Sequence, residues 1–211
     1  MTGALAGRRC ATERYSGRGI RSDRETRVKD SYVALIRGIN VGRANRVAMA
    51  DLRALLSDLG YLDVRTLLNS GNAAFSAPGK TAADVAASIQ HGLGARLHVE
   101  ARVVAVTAAD LDAAIAENPF PDRVDEPSRL VVAFLSDPSD RARLLPLAGQ
   151  DWAPEALAVG TRVAYLWCPA GIAASHVSRA VGLALGNVVT ARNWSTVLKL
   201  AALVSDRRRR N

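Results

Sequence analysis

Cysteine and histidine are scarce in this chain of 211 residues, which has two of the former and three of the latter. Cys10 lies in a polar segment and Cys168 follows an apolar run, so their spacing fits neither a disulfide framework nor a metal site. His91, His98 and His176 are scattered without the spacing of metal ligands. We therefore expect no metal and no cofactor, and we expect Cys168 to be a small buried hydrophobic residue.

Long apolar runs are also missing. No run approaches the roughly 18 to 20 residues that a membrane-spanning helix needs, and the N-terminus lacks the apolar centre of a secretory signal. Hydrophobic residues nevertheless make up 49% of the chain, which is enough for a packed core and argues against wholesale disorder. The sequence therefore predicts a cytoplasmic globular protein of one large domain or two small ones.

Acidic residues are too few to balance the basic ones, and the formal net charge is +8. Of the 28 basic residues, eight lie in residues 1–30, against four acids there, and Arg207 to Arg210 supply four more. Residues 31–206 therefore have 16 basic and 16 acidic side chains, so this part of the chain is neutral. We expect a disordered basic tail over residues 1–30 and a short basic tail over 207–211, which could hold nucleic acid only weakly.

Aromatic residues account for only 5% of the chain. RNA-binding sheets need two or three stacking aromatics on their central strands, whereas the apolar run at residues 72–75 offers only Phe75. Nucleic acid is therefore disfavoured as a partner beyond weak contacts of the tails. A serine flanked by glycines at a strand-to-helix turn is lacking as well, which argues against a Ser-His-Asp hydrolase.

Apolar runs and helical patterns alternate in the first half of the chain and predict the order strand, helix, strand, strand, helix, strand. Gly60 ends the first helix, and Thr81 with Asp84 three residues later resembles a capping box at the start of the second. Asn69 to Gly71 have the composition of a hairpin turn. The predicted strands cover residues 32–37, 64–68, 72–75 and 100–106, and the first helix covers residues 48–59.

The same order of elements is predicted again in the second half. Thr107 and Asp110 open a linker helix, which two prolines end within residues 118–121. Asp137 and Pro138 are suited to the cap and first position of the next helix. Strands are predicted at residues 130–135, 156–159, 162–167 and 187–190, and a helix is predicted at residues 172–183.

This pattern predicts an α+β fold of two ferredoxin-like (βαββαβ plait) subdomains in tandem, with an extra C-terminal helix. The first subdomain covers residues 31–107, and the second, with its linker helix and the C-terminal helix, covers residues 108–206. The first strand of each unit is apolar at successive positions, so neither sheet can leave a face in water. We expect the other unit or the additional helices to cover those faces.

Two polar loops should meet at one edge of the first sheet, because the chain leaves strand one where the hairpin joins strands two and three. Backbone N–H groups, amide side chains and arginines at this edge suit a phosphate or another anion. The candidate ligand-binding residues of these loops are Arg37, Gly38, Asn40, Gly42, Asn45, Ser70 and Asn72.

A second polar segment lies near the C-terminus. Asn193 is suited to cap a helix, and Arg192 directly before it would favour an anion at the helix N-terminus. Lys199 lies on the polar face of the same helix, so all three residues join the candidates. The alternative that Asn193 merely caps the helix stays open, as does the question whether Arg192 meets the loop after strand one.

Four separated groups of residues carry a family resemblance: Arg37-Gly-Ile-Asn-Val-Gly42 with Asn45, Val47 and Met49; Ser70-Gly-Asn72; Asn118-Pro-Phe120; and Thr190-x-Arg-Asn-Trp-x-Thr-Val197 with Lys199-Leu200. In order and content they resemble motifs of the DUF1697 family of bacterial proteins, from residue 32 to about residue 204. The resemblance implies a pair of ferredoxin-like subdomains and no established activity. Arg43 stands where the family commonly has glycine, and Ser195 where it often has asparagine.

Two functions stay open at this point. The first is binding of a small anionic ligand, either phosphate-bearing or a nucleotide, at the loop after strand one. The alternative is an acylphosphatase-like phosphohydrolase, since acylphosphatases place a glycine-containing loop, an arginine and an asparagine on the same edge of a similar plait. Catalytic residues are unknown, because Asp51 in the first turn of a helix is usually only a favourable contact with the helix dipole. Whether the protein is an enzyme, which ligand it takes and its oligomeric state are not given by the sequence.

Overall fold

The computed structural model describes residues 31–41, 45–186 and 189–210, apart from the side chains of residues 207–210. These residues form a mixed α/β fold with two four-stranded antiparallel sheets and helices. The predicted tail over residues 1–30 and the candidate Gly42 lie outside the described residues.

The first sheet is built within residues 31–107. The Thr81 hydroxyl accepts from Asp84 N–H, and the Asp84 carboxylate accepts from Thr81 N–H, so the predicted capping box is present. The strand order is β2-β3-β1-β4, with β1 antiparallel to both β3 and β4. The elements are β1 (Ser31–Arg37), α1 (Met49–Asp58), β2 (Leu62–Leu67), β3 (Asn72–Ser76), α2 (Ala82–Leu97) and β4 (Arg102–Thr107).

The second sheet repeats this arrangement after a linker helix, α3 (Ala108–Ala116), which begins with a capping box of Thr107 and Asp110. The strand order is β6-β7-β5-β8, with β5 antiparallel to both β7 and β8. The elements are β5 (Leu130–Leu135), α4 (Arg141–Ala148), β6 (Ala156–Val159), β7 (Val163–Trp167), α5 (His176–Leu185) and β8 (Val189–Asn193), followed by α6 (Trp194–Arg210).

Helices cover both faces of each sheet. Leu52 of α1 and Ile89 of α2 are fully buried against one face of the first sheet. Leu111 of α3 and Trp194 of α6 belong to a core that contains residues of both sheets, so these helices fill the space between the sheets. Val181 of α5 lies in a third core with α4 and the remaining face of the second sheet. The expectation that neither sheet leaves a face in water is confirmed, because β1 from Ser31 to Ile36 and all of β5 are buried.

Three boundaries of the second unit differ from the sequence-based prediction. β8 continues to Asn193, beyond the predicted end at residue 190, because its pairing with β5 extends to Val131 opposite Asn193. α5 begins at His176 after a short 3₁₀ turn, Ile172–Ala174, because the Ser175 hydroxyl accepts from Ser178 N–H and caps the helix there. The helix expected after Asp137 is likewise split into a 3₁₀ turn, Pro138–Asp140, and α4.

The last helix is longer than expected, because α6 runs to Arg210. Residues 207–210, predicted as part of a separate basic tail, therefore continue this helix. None of the helices in the described part of the chain is both long enough and apolar enough to cross a membrane.

Candidate functional site

The loop after β1 and the turn between β2 and β3 lie side by side, as predicted from the order of the strands. Ile36 N–H donates to the carbonyl of Gly71 at 2.7 Å, which ties the end of β1 to the turn. Gly71 has φ +76°, and a Cβ there would lie 2.8 Å from the Ile36 carbonyl oxygen. Only glycine allows the turn to approach the strand this closely.

Asn40 and Asn45 hold the loop after β1 by hydrogen bonds within the chain. The Asn40 amide donates to the carbonyls of Val47 at 2.9 Å and Asn69 at 2.8 Å, and its Oδ1 accepts from Val47 N–H. Asn45 donates its amide to the Gly38 carbonyl at 3.2 Å. Both asparagines have positive φ, which this residue type tolerates better than most. Their described hydrogen bonds therefore fix the loop, and direct contact with a ligand stays a prediction.

Asn72 is fully buried at the start of β3. Its amide nitrogen donates to the Leu67 carbonyl at 3.1 Å and to the Ser70 hydroxyl at 3.0 Å. Its Oδ1 accepts from Nε of Arg192, which belongs to β8 of the second sheet. Asn72 therefore joins the hairpin turn of the first unit to the second unit.

Arg192 reaches across to the first sheet, which answers the question that the sequence leaves open. Its guanidinium has five N–H donors, and five neutral acceptors surround it. Burial lowers the pKa of Arg192 to about 10, so the group stays charged at neutral pH without any carboxylate among these partners. The acceptors are Asn72 Oδ1, the Thr190 hydroxyl at 3.0 Å, and the carbonyls of Ala191 at 2.8 Å, Ile36 at 3.0 Å and Ser70 at 3.2 Å.

A cleft of about 350 Å³ opens between the loop after β1 and the second unit, and we call it the first cleft. One wall is the segment from Ile36 to Val41 with Ser70, and the opposite wall is formed by β8 and α5. Arg37 and Arg192 are the charged residues among its described lining, which contains no carboxylate. Arg37 spans the gap, since its Nη1 donates to the Val189 carbonyl at 3.2 Å. The lining has a positive charge at one end and is largely apolar elsewhere.

Residues 30–165 match a family described as "Protein of unknown function (DUF1697)". The chain belongs to this family. It is also similar to the solved structure of a conserved bacterial protein from Streptococcus pneumoniae, with a TM-score of 0.67 over 82% of this chain and 98% of that chain. The two sequences are 22% identical, so this likeness concerns the fold alone. No curated protein matches the chain.

The resemblance to DUF1697 motifs is thus confirmed, and the family description gives no activity. Two of the resembling segments, which begin at Arg37 and at Ser70, lie inside the matched residues, and Arg37, Gly38, Ile39, Val41 and Ser70 line the first cleft. Thr190 and Arg192 lie beyond the matched residues but line the same cleft. Three of the four segments that carry the resemblance therefore have residues at the first cleft in this DUF1697 protein, whereas Asn118 to Phe120 do not line it.

A second cleft, of about 510 Å³, lies on the other side of Arg37 and Gly38. Arg102 lines this second cleft and is the antiparallel partner of Arg37 on β4. Like charges directly opposite each other on neighbouring strands are unfavourable. Glu100 is the one carboxylate among its described lining residues, which also include Gln90, Gly94, Val99 and Ala101.

Asn193 and Lys199 lie away from both clefts in this DUF1697 chain. Asn193 caps α6, because its Oδ1 accepts from Thr196 N–H at 3.0 Å, from the Thr196 hydroxyl at 2.7 Å and from the Ser195 hydroxyl at 3.1 Å. Lys199 is exposed on α6 and lines neither cleft. The guanidinium of Arg192 donates to residues of the first unit, so the structure does not bring these three residues together, and anion binding at this helix N-terminus stays a prediction.

Sequence reasoning missed two parts of the site. Arg102 ends up beside Arg37 only through strand pairing, although the neighbouring positions of the central strands could have been inferred from the plait order. The wall formed by α5 was missed as well. Gly182, which lines this wall, is the next-to-last residue of the helix predicted over residues 172–183, where a glycine gives no signal of a cleft.

Proposed function

We propose that this DUF1697 protein binds a small anionic ligand, phosphate-bearing or a nucleotide, at the loop after β1. One observation supports the proposal most directly: Arg37 stands where two clefts meet, with a second arginine opposite it on β4. Among the residues that the structure describes, its guanidinium has one hydrogen bond, to the neutral carbonyl of Val189. Arginine side chains with free donors are well suited to phosphate and carboxylate groups.

Charge balance supports an anion at this place. Arg37 and Arg102 repel each other across the strands, and Arg192 adds a third positive charge behind the first cleft. Glu100, in the second cleft, is the only described carboxylate of either lining. An anionic group beside Arg37 would offset this repulsion, and its attraction would be strengthened where water is partly excluded.

The asparagines act in this proposal by positioning the loop. Asn40 and Asn45 hold the backbone at Gly38 and at Val47, and Asn72 with Arg192 holds the neighbouring turn. A loop already held in one conformation loses less entropy on binding. Arg37 is therefore the residue expected to contact the ligand, and the amides act through the backbone that they fix.

The phosphohydrolase alternative receives no support from the described contacts. Acylphosphatase-like chemistry would use an asparagine amide to orient water at this edge. Both donors of the Asn72 amide are instead used by Leu67 and Ser70, and its oxygen is used by Arg192. Binding is therefore the function put forward, and no catalytic residue is assigned.

We also propose that the two halves are ferredoxin-like units related by duplication. Each half has the order strand, helix, strand, strand, helix, strand. Each sheet also places its first and third strands at the centre, flanked by the second and fourth. A common origin would explain why both units have an apolar central strand buried on both faces.

Thermal unfolding with inorganic phosphate, mononucleotides and sugar phosphates tests the binding proposal. At least one compound should raise the midpoint progressively, with the logarithm of its concentration once the site is saturated, as mass action requires. Arg37→Ala should weaken that binding at least about tenfold, a loss of roughly 1.4 kcal/mol. Arg53→Ala is the matched control, since Arg53 is exposed on α1 and donates to Thr66 outside both clefts. The absence of any shift, or equal binding by wild type and Arg37→Ala, would refute the proposal.

A further inference from the structure

We infer that the ligand at this site is an organic anion with a compact apolar body, and that this body enters the first cleft between β8 and α5. The inference rests on the proposed function, since the anionic group of the same ligand is placed at Arg37. It adds the chemical class of the ligand and the direction in which the ligand lies.

The inner wall of the first cleft is apolar. Ala133 and Leu166 of the second sheet and Val181 of α5 line it, and all three are buried among the third core. At its outer end, Val41 and Ile172 keep 71% and 47% of their surface exposed. An apolar group in the cleft would remove these surfaces from water, which is favourable by roughly 25 cal/mol for each Å² buried.

Gly182 gives an independent reason to expect that the first cleft holds a ligand. Glycine inside a helix is less favourable than alanine, so it usually has a packing reason. Gly92 of α2 has one, because a Cβ there would lie 3.0 Å from Leu55. At Gly182 a Cβ would meet no heavy atom within 4 Å, although the residue lies in the interior of α5. Packing therefore does not require glycine at this position, whereas an occupant of the cleft would.

Size and charge agree with this class of ligand. A volume of about 350 Å³ lies at the lower end of the range for small-molecule pockets, roughly 300 to 1,000 Å³. Inorganic phosphate alone would leave most of that volume and the apolar wall unused. The donors of Arg192 are all occupied, so Arg192 supplies positive potential while Arg37 supplies the hydrogen bonds.

Calorimetric titration of the full chain with inorganic phosphate, phenyl phosphate and phenylacetate tests the inference. Phenyl phosphate should bind at least about tenfold more tightly than inorganic phosphate, and phenylacetate shows whether a carboxylate can replace the phosphate. Gly182→Leu should abolish the preference for the phenyl compound by filling the cleft, and Gly182→Ala should reduce it in part. Both variants should keep or raise the thermal midpoint, because a side chain there has room and favours the helix.

Gly94→Leu is the matched control. Gly94 is also a helical glycine whose Cβ would meet nothing within 4 Å, but it lines the second cleft. The tenfold preference should survive in this variant. Equal affinity for phosphate and phenyl phosphate would overturn the inference and leave the proposed function intact. A preference lost in Gly94→Leu and kept in Gly182→Leu would overturn it by placing the apolar body in the second cleft. If none of the three anions binds, the inference fails, and the proposed function is then decided by the mononucleotides and sugar phosphates of the thermal unfolding test.

Discussion

Arg192 is positively charged and mostly buried, and the groups around its guanidinium are neutral hydrogen-bond acceptors rather than a carboxylate. A buried guanidinium is costly unless its donors are satisfied, and here all five are. Three of the acceptors belong to the first unit and two to β8. These hydrogen bonds therefore compensate the buried charge of Arg192 and link the two units beside the first cleft.

Replacing Arg192 by methionine should lower the free energy of unfolding by about 2 to 4 kcal/mol, because acceptors of Ile36, Ser70 and Asn72 lose their partner. Urea unfolding followed by circular dichroism measures this change. Arg53→Met, which removes an arginine exposed on α1, should change stability by less than about 0.5 kcal/mol. Asn72→Ala combined with Arg192→Met should be less destabilising than the sum of the single changes, and additive effects would contradict the described contact.

Glu155 is a second residue whose role is set by its hydrogen bonds. Burial opposes its ionisation, but the Val177 N–H, the Ser175 hydroxyl and the His176 N–H donate to it and together hold its pKa below the ordinary value. The carboxylate thus lies at the N-terminus of α5, where a negative charge is favourable. Cys168, whose thiol donates to the same Ser175 hydroxyl, is fully buried, and burial raises its pKa. The prediction that Cys168 is buried is confirmed.

Stability should fall at acidic pH in part because of Glu155. Its folded-state pKa is lowered, so the unfolded chain binds the proton more readily, and the contribution is complete above the ordinary pKa of about 4.5. It should disappear as the pH falls through the lower folded-state pKa. Urea unfolding of wild type and Glu155→Gln from pH 7 to pH 3 measures this. The difference between them should shrink as the pH falls, and a constant difference would mean that the carboxylate charge has no role.

At the scale of single elements, the turn between β2 and β3 is the most constrained. Gly71→Ala should destabilise the protein by about 3 kcal/mol, because it combines positive φ with a Cβ only 2.8 Å from the Ile36 carbonyl oxygen. Gly79→Ala is the control for the backbone conformation alone: φ is +69° there, but a Cβ would meet nothing within 4 Å, so about 1 kcal/mol is expected. Chemical unfolding measures both, and equal losses would show that the close approach is unimportant.

Local signals made some elements predictable from the sequence, and long-range pairing made others unpredictable. The capping boxes at Thr81 and Thr107 involve residues three apart, so the sequence displays both partners, and both were predicted as helix starts. The end of β8 was predicted too early, at residue 190, because Ala191, Arg192 and Asn193 have no strand character of their own. Their conformation is fixed by pairing with β5, about 60 residues away in the chain.

The candidate site was predictable in position but not in the roles of its residues. The order of strands is enough to bring the loop after β1 beside the turn at Ser70, and it does so. Composition cannot distinguish an amide that binds a ligand from one that donates to the backbone, and Asn40, Asn45 and Asn72 are of the second kind in their described contacts. The positions of Arg102 and Gly182 depend on tertiary packing, which no local pattern displays.

At the scale of the whole molecule, the two sheets have four apolar faces to cover. α3 and α6 lie between the sheets and cover one face of each. They bury Leu111, Trp194 and Val197 between the sheets, while α1, α2, α4 and α5 cover the outer faces. β8 also contacts β1 and β4, so the sheets meet at the end where Arg37 and Arg192 lie. The first cleft is thus formed where the two units join, whereas the second cleft is lined by residues of the first unit alone. A ligand bound in the first cleft should therefore stabilise both units together.

The distribution of charge over the whole chain leads to the last prediction. Because residues 31–206 have equal numbers of basic and acidic side chains, any retention on nucleic acid should come from the two ends. A variant that lacks residues 1–30 and has Arg207 to Arg210 replaced by glutamine should elute from immobilised duplex DNA at low salt, unlike the full chain. Arg37→Ala in the full chain is the control and should leave retention nearly unchanged, because it removes one charge from the neutral part. Retention of the variant without basic ends would place a nucleic-acid contact in the folded part, where Arg37, Arg102 and the two clefts would be the first residues to examine.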